Sequence, residues 1–134
     1  SIMGLRTNFR AANPLAAYLY VVSPKYLELA FASLRSLRRT GDRTFAYIGL
    51  LGEVDFDFSG FEELEIKVVE IGEVGLVDQF FLPGYTGIEI ACSAKPLFIE
   101  WILKNTKLDY ILYLDSDLYF ARRLDTELIR INKL

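Results

Sequence analysis

Apolar and polar positions follow one another along this chain in blocks of strand length and of helix length. Apolar runs rich in β-branched and aromatic residues predict four strands, at residues 17–22, 44–51, 64–71 and 110–114. Between the first two, apolar positions recur at helical spacing from Leu27 to Leu37, after a Ser23-Pro24 helix start and before Gly41. Strands that alternate with helices indicate βαβ units. We therefore expect an α/β fold with a mainly parallel sheet, in a Rossmann-like three-layer α/β/α arrangement.

The second half of the pattern is less regular. Thr86-Gly87-Ile88-Glu89 has the spacing of a capping box, which predicts a helix start. Pro96 interrupts that helical segment, so either the helix kinks or a new helix begins there. The segment 97–103 is apolar nearly all round, which predicts burial. A short strand at 118–121 and a helix at 125–132 complete the prediction, and no element is assigned to 72–84.

The fourth predicted strand runs directly into Asp115-Ser116-Asp117. Ligands of open α/β sheets bind at the carboxyl ends of the strands. Two carboxylates this close repel each other, which favours a bound cation. Carboxylate oxygens suit Mg²⁺ or Mn²⁺, and Mg²⁺ commonly combines one or two carboxylates with substrate phosphates. Asp115 and Asp117 are therefore the candidate ligands of a divalent metal, and the expected partner is a nucleoside diphosphate.

Composition narrows the class of protein. The 134 residues correspond to a single domain, 1–134, and a net charge of −3 does not favour nucleic acid as a partner. Four arginines cluster near the end of the first helix, and we interpret them as a solvated helix end: Arg35, Arg38, Arg39 and Arg43. No apolar run is long enough to predict a membrane span. The hydrophobic fraction of 52% is high, so we expect some apolar surface to meet a second copy, a partner or a missing C-terminal half.

Missing residue types exclude several chemistries. Histidine is absent and Cys92 is the single cysteine, which excludes Ser-His-Asp and Cys-His catalysis, histidine-bound zinc and an internal disulfide. We see no signal peptide and expect a reducing, cytoplasmic location. The first strand is followed by Val21-Val22-Ser23-Pro24-Lys25 rather than by Gly-x-Gly-x-x-Gly, so a dinucleotide redox cofactor is disfavoured.

Two motifs in order give the chain a family resemblance. Glu89 is followed after five residues by Lys95-Pro96, and the strand ending in Asp115-Ser116-Asp117 comes next. This pairing resembles the Glu-x5-Lys-Pro and D-x-D motifs of GT-A fold glycosyltransferases, including bacterial ones and the glycogenin-like group. The resemblance spans about residues 18–124 and corresponds to the N-terminal, nucleotide-sugar-binding half of that fold.

The resemblance implies a nucleoside-diphosphate sugar as donor, with a UDP-sugar expected, and an unidentified acceptor. Asp117 would coordinate the metal, and Asp115 would reach the ribose or the water shell of the metal. Ser23 would offer a hydroxyl to the nucleotide, and Tyr26 either stacks on the base or belongs to the core. Lys95 either neutralises the diphosphate or only extends its ammonium from a helix end.

Other residues and other functions remain open. We favour a capping role for Glu89 and a packing role for Phe98 and Trp101. No catalytic residue is predicted, because the acceptor half of the resembled fold has no counterpart here, so the chain is expected to be an incomplete enzyme or a donor-binding protein. The alternatives are a non-catalytic Rossmann-like interaction module and a haloacid-dehalogenase-like phosphatase. In such phosphatases D-x-D usually follows the first strand and precedes a small Thr or Val, where this chain has Tyr119.

Overall fold

A computed structural model describes residues 15–75 and 87–122, with side chains described for all of these except 87–93. Four strands are present in this part of the chain: β1 (Ala16–Val22), β2 (Ala46–Leu50), β3 (Ile66–Glu70) and β4 (Tyr110–Tyr113). The helices are α1 (Leu27–Arg39), α2 (Ile71–Val74) and α3 (Gly87–Asn105). Short 3₁₀ helices cover Pro24–Tyr26 and Phe58–Leu64.

The four strands form one all-parallel sheet in the order β3-β2-β1-β4. The prediction of an α/β fold with a parallel sheet is therefore confirmed. The chain moves outward from β1 through β2 to β3, and α3 then carries it back to the opposite side of β1. The direction of strand addition consequently reverses between β1 and β4.

Helices cover both faces of this sheet. Tyr18 and Tyr20 of β1 belong to a core cluster that includes the inner side of α1, whereas Leu19 and Val21 belong to a second cluster that includes α3. Successive side chains of a strand point to opposite faces, so β1 can be apolar throughout only if both faces are covered. The continuous apolar run in the sequence is the direct result.

Helix α1 begins and ends as its sequence predicts, with one difference at the start. Ser23 occupies the position before the helix, but its side chain makes no capping hydrogen bond. Its carbonyl accepts a hydrogen bond from the Tyr26 amide at 2.9 Å, and the first turn is 3₁₀ rather than α-helical. At the other end Gly41, with φ of 93°, donates its amide to the Arg38 carbonyl at 3.0 Å.

Helix α3 continues through Pro96, so no new helix begins there. The prediction that the segment 97–103 is buried all round is wrong, because α3 packs against the sheet with one face. Phe98 and Ile102 are fully buried, whereas Leu103 is exposed. Phe98 and Trp101 both pack in the second core cluster, as predicted. The predicted capping residue Thr86 lies outside the described residues.

The predicted last strand and the predicted burial of β4 both differ from the structure. Residues 118–121 follow a turn and form no strand. Tyr110 is buried, but the other three residues of β4 are only half-buried, because β4 pairs with β1 alone within the described residues. The predicted helix at 125–132 lies outside them. In the part of the chain described here, no helix has the length and apolar character needed to cross a membrane.

A buried polar network closes the amino-terminal end of the sheet and involves one of the clustered arginines. The Arg38 guanidinium donates to the carbonyls of Leu64 at 2.9 Å and Asp42 at 2.8 Å, so its predicted place on a solvated helix end is wrong. Tyr18 donates its hydroxyl to the Asp42 carboxylate at 2.5 Å. Burial and this hydrogen bond raise the pKa of Tyr18. Burial alone would raise the pKa of Asp42, but hydrogen bonds from Tyr18 and Thr44 outweigh it and hold that pKa below its usual value.

Candidate metal and nucleotide site

The carboxyl ends of β1 and β4 lie side by side. The register pairs Leu19 with Tyr113, and the amide just beyond β4, that of Leu114, donates to the Leu19 carbonyl at 2.9 Å. Val21 lies two residues after Leu19, and Asp115 lies two residues after Tyr113. Because the order of the strands reverses between β1 and β4, this is the position where open α/β sheets leave a crevice for ligands.

Asp115, Ser116 and Asp117 form a turn directly beyond β4. Leu114 is buried in the first core cluster and anchors the start of the turn, while the Leu118 amide donates to the Asp115 carbonyl at 3.3 Å. Both carboxylates are exposed and Ser116 is half-buried. The turn therefore presents two carboxylates to solvent from a fixed strand end.

The carboxylate pair has no third protein ligand in the described residues. No group of three or more His, Cys, Asp or Glu side chains that could hold a metal occurs among residues 15–75 and 94–122. Two carboxylates fit a metal that completes its shell with water and substrate oxygens, as Mg²⁺ commonly does. They do not by themselves form an enclosed structural metal site.

The chain beyond the turn is attached to α1. The Phe120 amide donates to the Ser36 hydroxyl at 2.9 Å, and that hydroxyl donates to the Ser33 carbonyl at 2.6 Å. Ser33 in turn shares a hydrogen bond of 2.9 Å with the buried Tyr20 hydroxyl. A chain of buried and part-buried hydrogen bonds thus connects β1, α1 and the segment after the aspartates.

Ser23 and Tyr26 lie at the end of β1 and the start of α1. The Ser23 side chain is half-buried and is not used for capping. Tyr26 is 48% exposed, so the interpretation of Tyr26 as a core residue is wrong. The Lys25 ammonium lies 5.1 Å from the centre of the Tyr26 ring. An exposed ring with a cation beside it is a surface on which a planar group can stack.

Lys95 approaches the same end of the sheet from the α3 side. Its ammonium lies 3.9 Å from the centre of the Tyr113 ring, a short cation–π contact. Tyr113 is two residues before Asp115, so Lys95 brings positive charge to the strand that carries the aspartates. The side chain of Glu89 is outside the described part of α3.

The structure also contains a cleft that the sequence did not indicate. It has a volume of about 270 Å³ and lies between α1 and residues 116–119, with Arg35, Arg39, Asp117 and Tyr119 in its lining. Neither Ser23 nor Tyr26 nor Lys95 lines it. In the sequence, the four-residue spacing of Arg35 and Arg39 is the signal that they share one side of a helix. That residues 116–119 lie opposite them and complete the cleft is decided by the tertiary fold.

The predicted residues therefore converge on one end of the sheet without sharing one cleft. Asp115 and Asp117 follow β4, Ser23 and Tyr26 follow β1, and Lys95 lies over β4 from the opposite face. Comparison with protein families, with curated proteins and with solved structures finds no match to this chain. Its function has to be inferred from the site itself.

Proposed function

We propose that this chain binds a nucleoside-diphosphate sugar, with UDP-sugar as the expected donor, as the nucleotide-sugar-binding portion of a Rossmann-like GT-A glycosyltransferase. One observation carries the proposal: the Asp115-Ser116-Asp117 turn emerges beside the carboxyl end of β1, at the reversal of strand order. Crevices at such reversals are the usual nucleotide sites of open parallel sheets.

Each candidate residue has a role that suits its position. Asp117 would coordinate Mn²⁺ or Mg²⁺, and Asp115 would bind the ribose or a water on the metal. The half-buried Ser23 hydroxyl and the exposed Tyr26 ring would contact the base, and Lys95 would balance the charge of the diphosphate. A bound divalent metal supplies Lewis-acid stabilisation of the charge that a departing diphosphate acquires.

The position of the carboxylate pair along the chain favours this proposal over a phosphatase. The D-x-D of haloacid-dehalogenase-like phosphatases usually follows the first strand, whereas here it follows the fourth of the strands that the structure describes. The exposed Tyr119 stands where a small residue is typical of that class. A non-catalytic interaction module requires neither the exposed carboxylates of Asp115 and Asp117 at the strand end nor the exposed ring of Tyr119 that follows them.

Calorimetric titration of the protein with UDP, with and without Mn²⁺, tests the proposal. We expect binding that requires Mn²⁺ and that Asp117→Ala weakens at least tenfold, because the metal loses its direct ligand. Glu100→Ala is the control, since it removes an exposed carboxylate from the far side of α3 and should leave binding unchanged. UDP binding that is indifferent to both metal and Asp117→Ala would contradict the proposal.

A second measurement separates the rival functions. A phosphatase would hydrolyse a generic phosphoester in the presence of Mg²⁺ and lose that activity in Asp115→Asn. The donor-binding protein should show no such hydrolysis while still binding UDP with Mn²⁺. An interaction module would show neither hydrolysis nor metal-dependent UDP binding.

A further inference from the structure

The four clustered arginines have three different environments in the fold. Arg38 is buried and bonded to main-chain carbonyls. Arg43 pairs with Glu65 at 3.3 Å and donates to the Glu63 carbonyl at 2.7 Å. Arg35 and Arg39 remain, one helical turn apart on the outer side of α1, and both line the 270 Å³ cleft. Of the four arginines, these two line the cleft beside residues 116–119.

Among the side chains that the structure describes, no carboxylate forms an ion pair with either of these two arginines. Within residues 15–75 and 94–122, neither has an Asp or Glu oxygen within 4.0 Å, although Asp117 lines the same cleft. The Arg35 guanidinium lies 5.5 Å from the centre of the Phe61 ring, which does not line the cleft, so this contact adds no negative charge to balance Arg35. Like charges four residues apart on a helix repel each other. A ligand with negative charge would relieve that repulsion, and guanidinium groups bind phosphate and carboxylate through paired hydrogen bonds.

The opposite wall of the cleft is formed by residues 116–119, in which the apolar Leu118 and the aromatic Tyr119 follow Ser116 and Asp117. Leu118 is exposed and Tyr119 is 73% exposed, and both belong to the segment that the Phe120–Ser36 hydrogen bond attaches to α1. Leu29 continues this apolar surface on α1. The cleft thus has a cationic side at Arg35 and Arg39 and an apolar part at Leu118 and Tyr119, with Asp117 at its border. The cationic and apolar parts together match a small molecule that carries an anionic group on an apolar or ring-shaped body.

We propose that this cleft binds an organic anion, with its phosphate or carboxylate at Arg35 and Arg39 and its body against Leu118 and Tyr119. The position of the cleft assigns a role to the bound anion, and this assignment rests on the function proposed above. Because Asp117 belongs to both the cleft and the proposed metal site, the occupant lies next to the bound donor. The anion is accordingly the acceptor, which places acidic or phosphorylated acceptors ahead of neutral ones.

Binding of simple probes, followed by chemical-shift changes of the backbone amides without metal or nucleotide, tests the cleft. The probes are phenyl phosphate, benzoate, inorganic phosphate and phenol. We expect phenyl phosphate or benzoate to shift the amides of residues 116–120 and of α1, and to bind more tightly than inorganic phosphate or phenol. The comparison of phenyl phosphate with benzoate decides between phosphate and carboxylate.

Substitutions then assign the binding to the arginines. Arg39→Gln should weaken binding of the preferred probe about tenfold, because a charge-assisted hydrogen bond is lost. Lys104→Gln makes the same change of charge on the far side of α3 and should have no effect. Thermal unfolding identifies any variant that has lost its fold, in which case Arg35→Gln replaces it. Probe binding that survives both arginine substitutions, or no binding of any anionic probe, overturns the proposal.

The acceptor role has its own outcome. Simultaneous binding of the preferred probe and of UDP with Mn²⁺ would support the acceptor role. Displacement of the probe by UDP would show that the cleft is part of the nucleotide site and would overturn the acceptor role. If the probe binds through Arg39 but UDP does not bind at all, the organic-anion cleft stands and the glycosyltransferase proposal fails. If UDP binds and no probe does, the cleft proposal fails alone.

Discussion

The sequence allows two interpretations of Tyr26, as a ring that stacks on a base or as a core residue, and the structure excludes the second. Its position at the start of α1 fits the helical spacing of core residues, yet the ring is about half exposed beside Lys25. Ser23 behaves similarly, since it occupies a capping position but leaves its hydroxyl out of the cap. For a single residue, the local sequence pattern predicts the helix or strand to which it belongs. Only packing decides whether its side chain is buried, exposed or used for capping.

If Tyr26 stacks on the base, its ring should matter and its hydroxyl should not. We expect Tyr26→Ala to weaken Mn²⁺-dependent UDP binding about tenfold, because stacking of one base on an aromatic side chain is worth about 1–3 kcal/mol. Tyr26→Phe keeps the ring and should bind as the wild type does. Calorimetry of both variants checks this, and equal affinity of Tyr26→Ala and wild type would exclude stacking.

Asp42 gives the fold a predictable dependence on pH. Its pKa is lower in the folded protein than in the unfolded chain, so its ionised form stabilises the fold above the unfolded pKa of about 3.9. That stabilisation is lost as the pH falls through the lower, folded pKa. We expect Asp42→Asn to lower the free energy of unfolding at pH 7 by about 1–3 kcal/mol, because a charged hydrogen-bond acceptor becomes neutral.

Urea unfolding of wild type and Asp42→Asn from pH 7 downward measures this effect. The difference in stability should narrow below about pH 4, where the wild-type carboxyl also becomes neutral. Asp55→Asn removes a carboxylate from an exposed loop and should change stability little at any pH. A difference that stays constant down to pH 2 would show that the charge of Asp42 is not what stabilises the network.

At the scale of elements, the sequence predicted the ends of the four sheet strands and of α1 to within about two residues. A strand buried on both faces, or a helix buried on one, leaves a regular pattern of apolar residues in the sequence. The prediction failed where packing is uneven. The apolar residues of α3 predicted burial all round, but one face of the helix meets the sheet and Leu103 is exposed. It failed also at residues 118–121, whose apolar and aromatic members contact α1 and line its cleft without forming a strand.

The close packing of β2 against α3 gives an element-scale prediction. A β-carbon on Gly49 of β2 would lie 2.9 Å from the Phe98 ring of α3, so a larger residue must displace the helix or the ring. We expect Gly49→Ala to lower the free energy of unfolding by about 1–3 kcal/mol, the usual cost of overpacking. The control Gly72→Ala adds a β-carbon that meets no atom within 4 Å and should not destabilise.

Denaturant unfolding of these variants measures the effect, and the combination with Phe98→Leu identifies its cause. If the clash is with the ring, the two substitutions should be less destabilising together than the sum of their separate effects. Additive effects would place the strain of Gly49→Ala elsewhere in β2.

At the scale of the whole molecule, the sheet is built around β1, which has a neighbour on each side and a helix on each face. β3 and β4 each have a single strand neighbour within the described residues. The same arrangement that buries β1 brings its carboxyl end next to β4 and so assembles the candidate site. The stability of the sheet and the location of the site therefore have one origin, the return of the chain through α3.

This arrangement predicts a gradient of protection across the sheet. Backbone amides of β1 and β2 should exchange with solvent most slowly, because opening them requires loss of the core, whereas those of β3 and β4 should exchange faster through local opening. Hydrogen exchange of the native protein, followed residue by residue, checks this. Protection of β4 equal to that of β1 would mean that residues outside the described part of the chain cover the other edge of β4.

The sequence by itself determined the four strands of the sheet and helix α1, that the strands are parallel, and that two carboxylates follow a strand. These properties depend on neighbours within a few residues, through the period of burial and through capping and turn residues. Only the tertiary structure decided the strand order, which lets Asp115 lie beside the end of β1, and the pairing of Arg35 and Arg39 with residues 116–119 across a cleft. Those arrangements depend on contacts between residues as many as 94 positions apart, such as Leu15 with Asp109, and local pattern carries no information about such pairings.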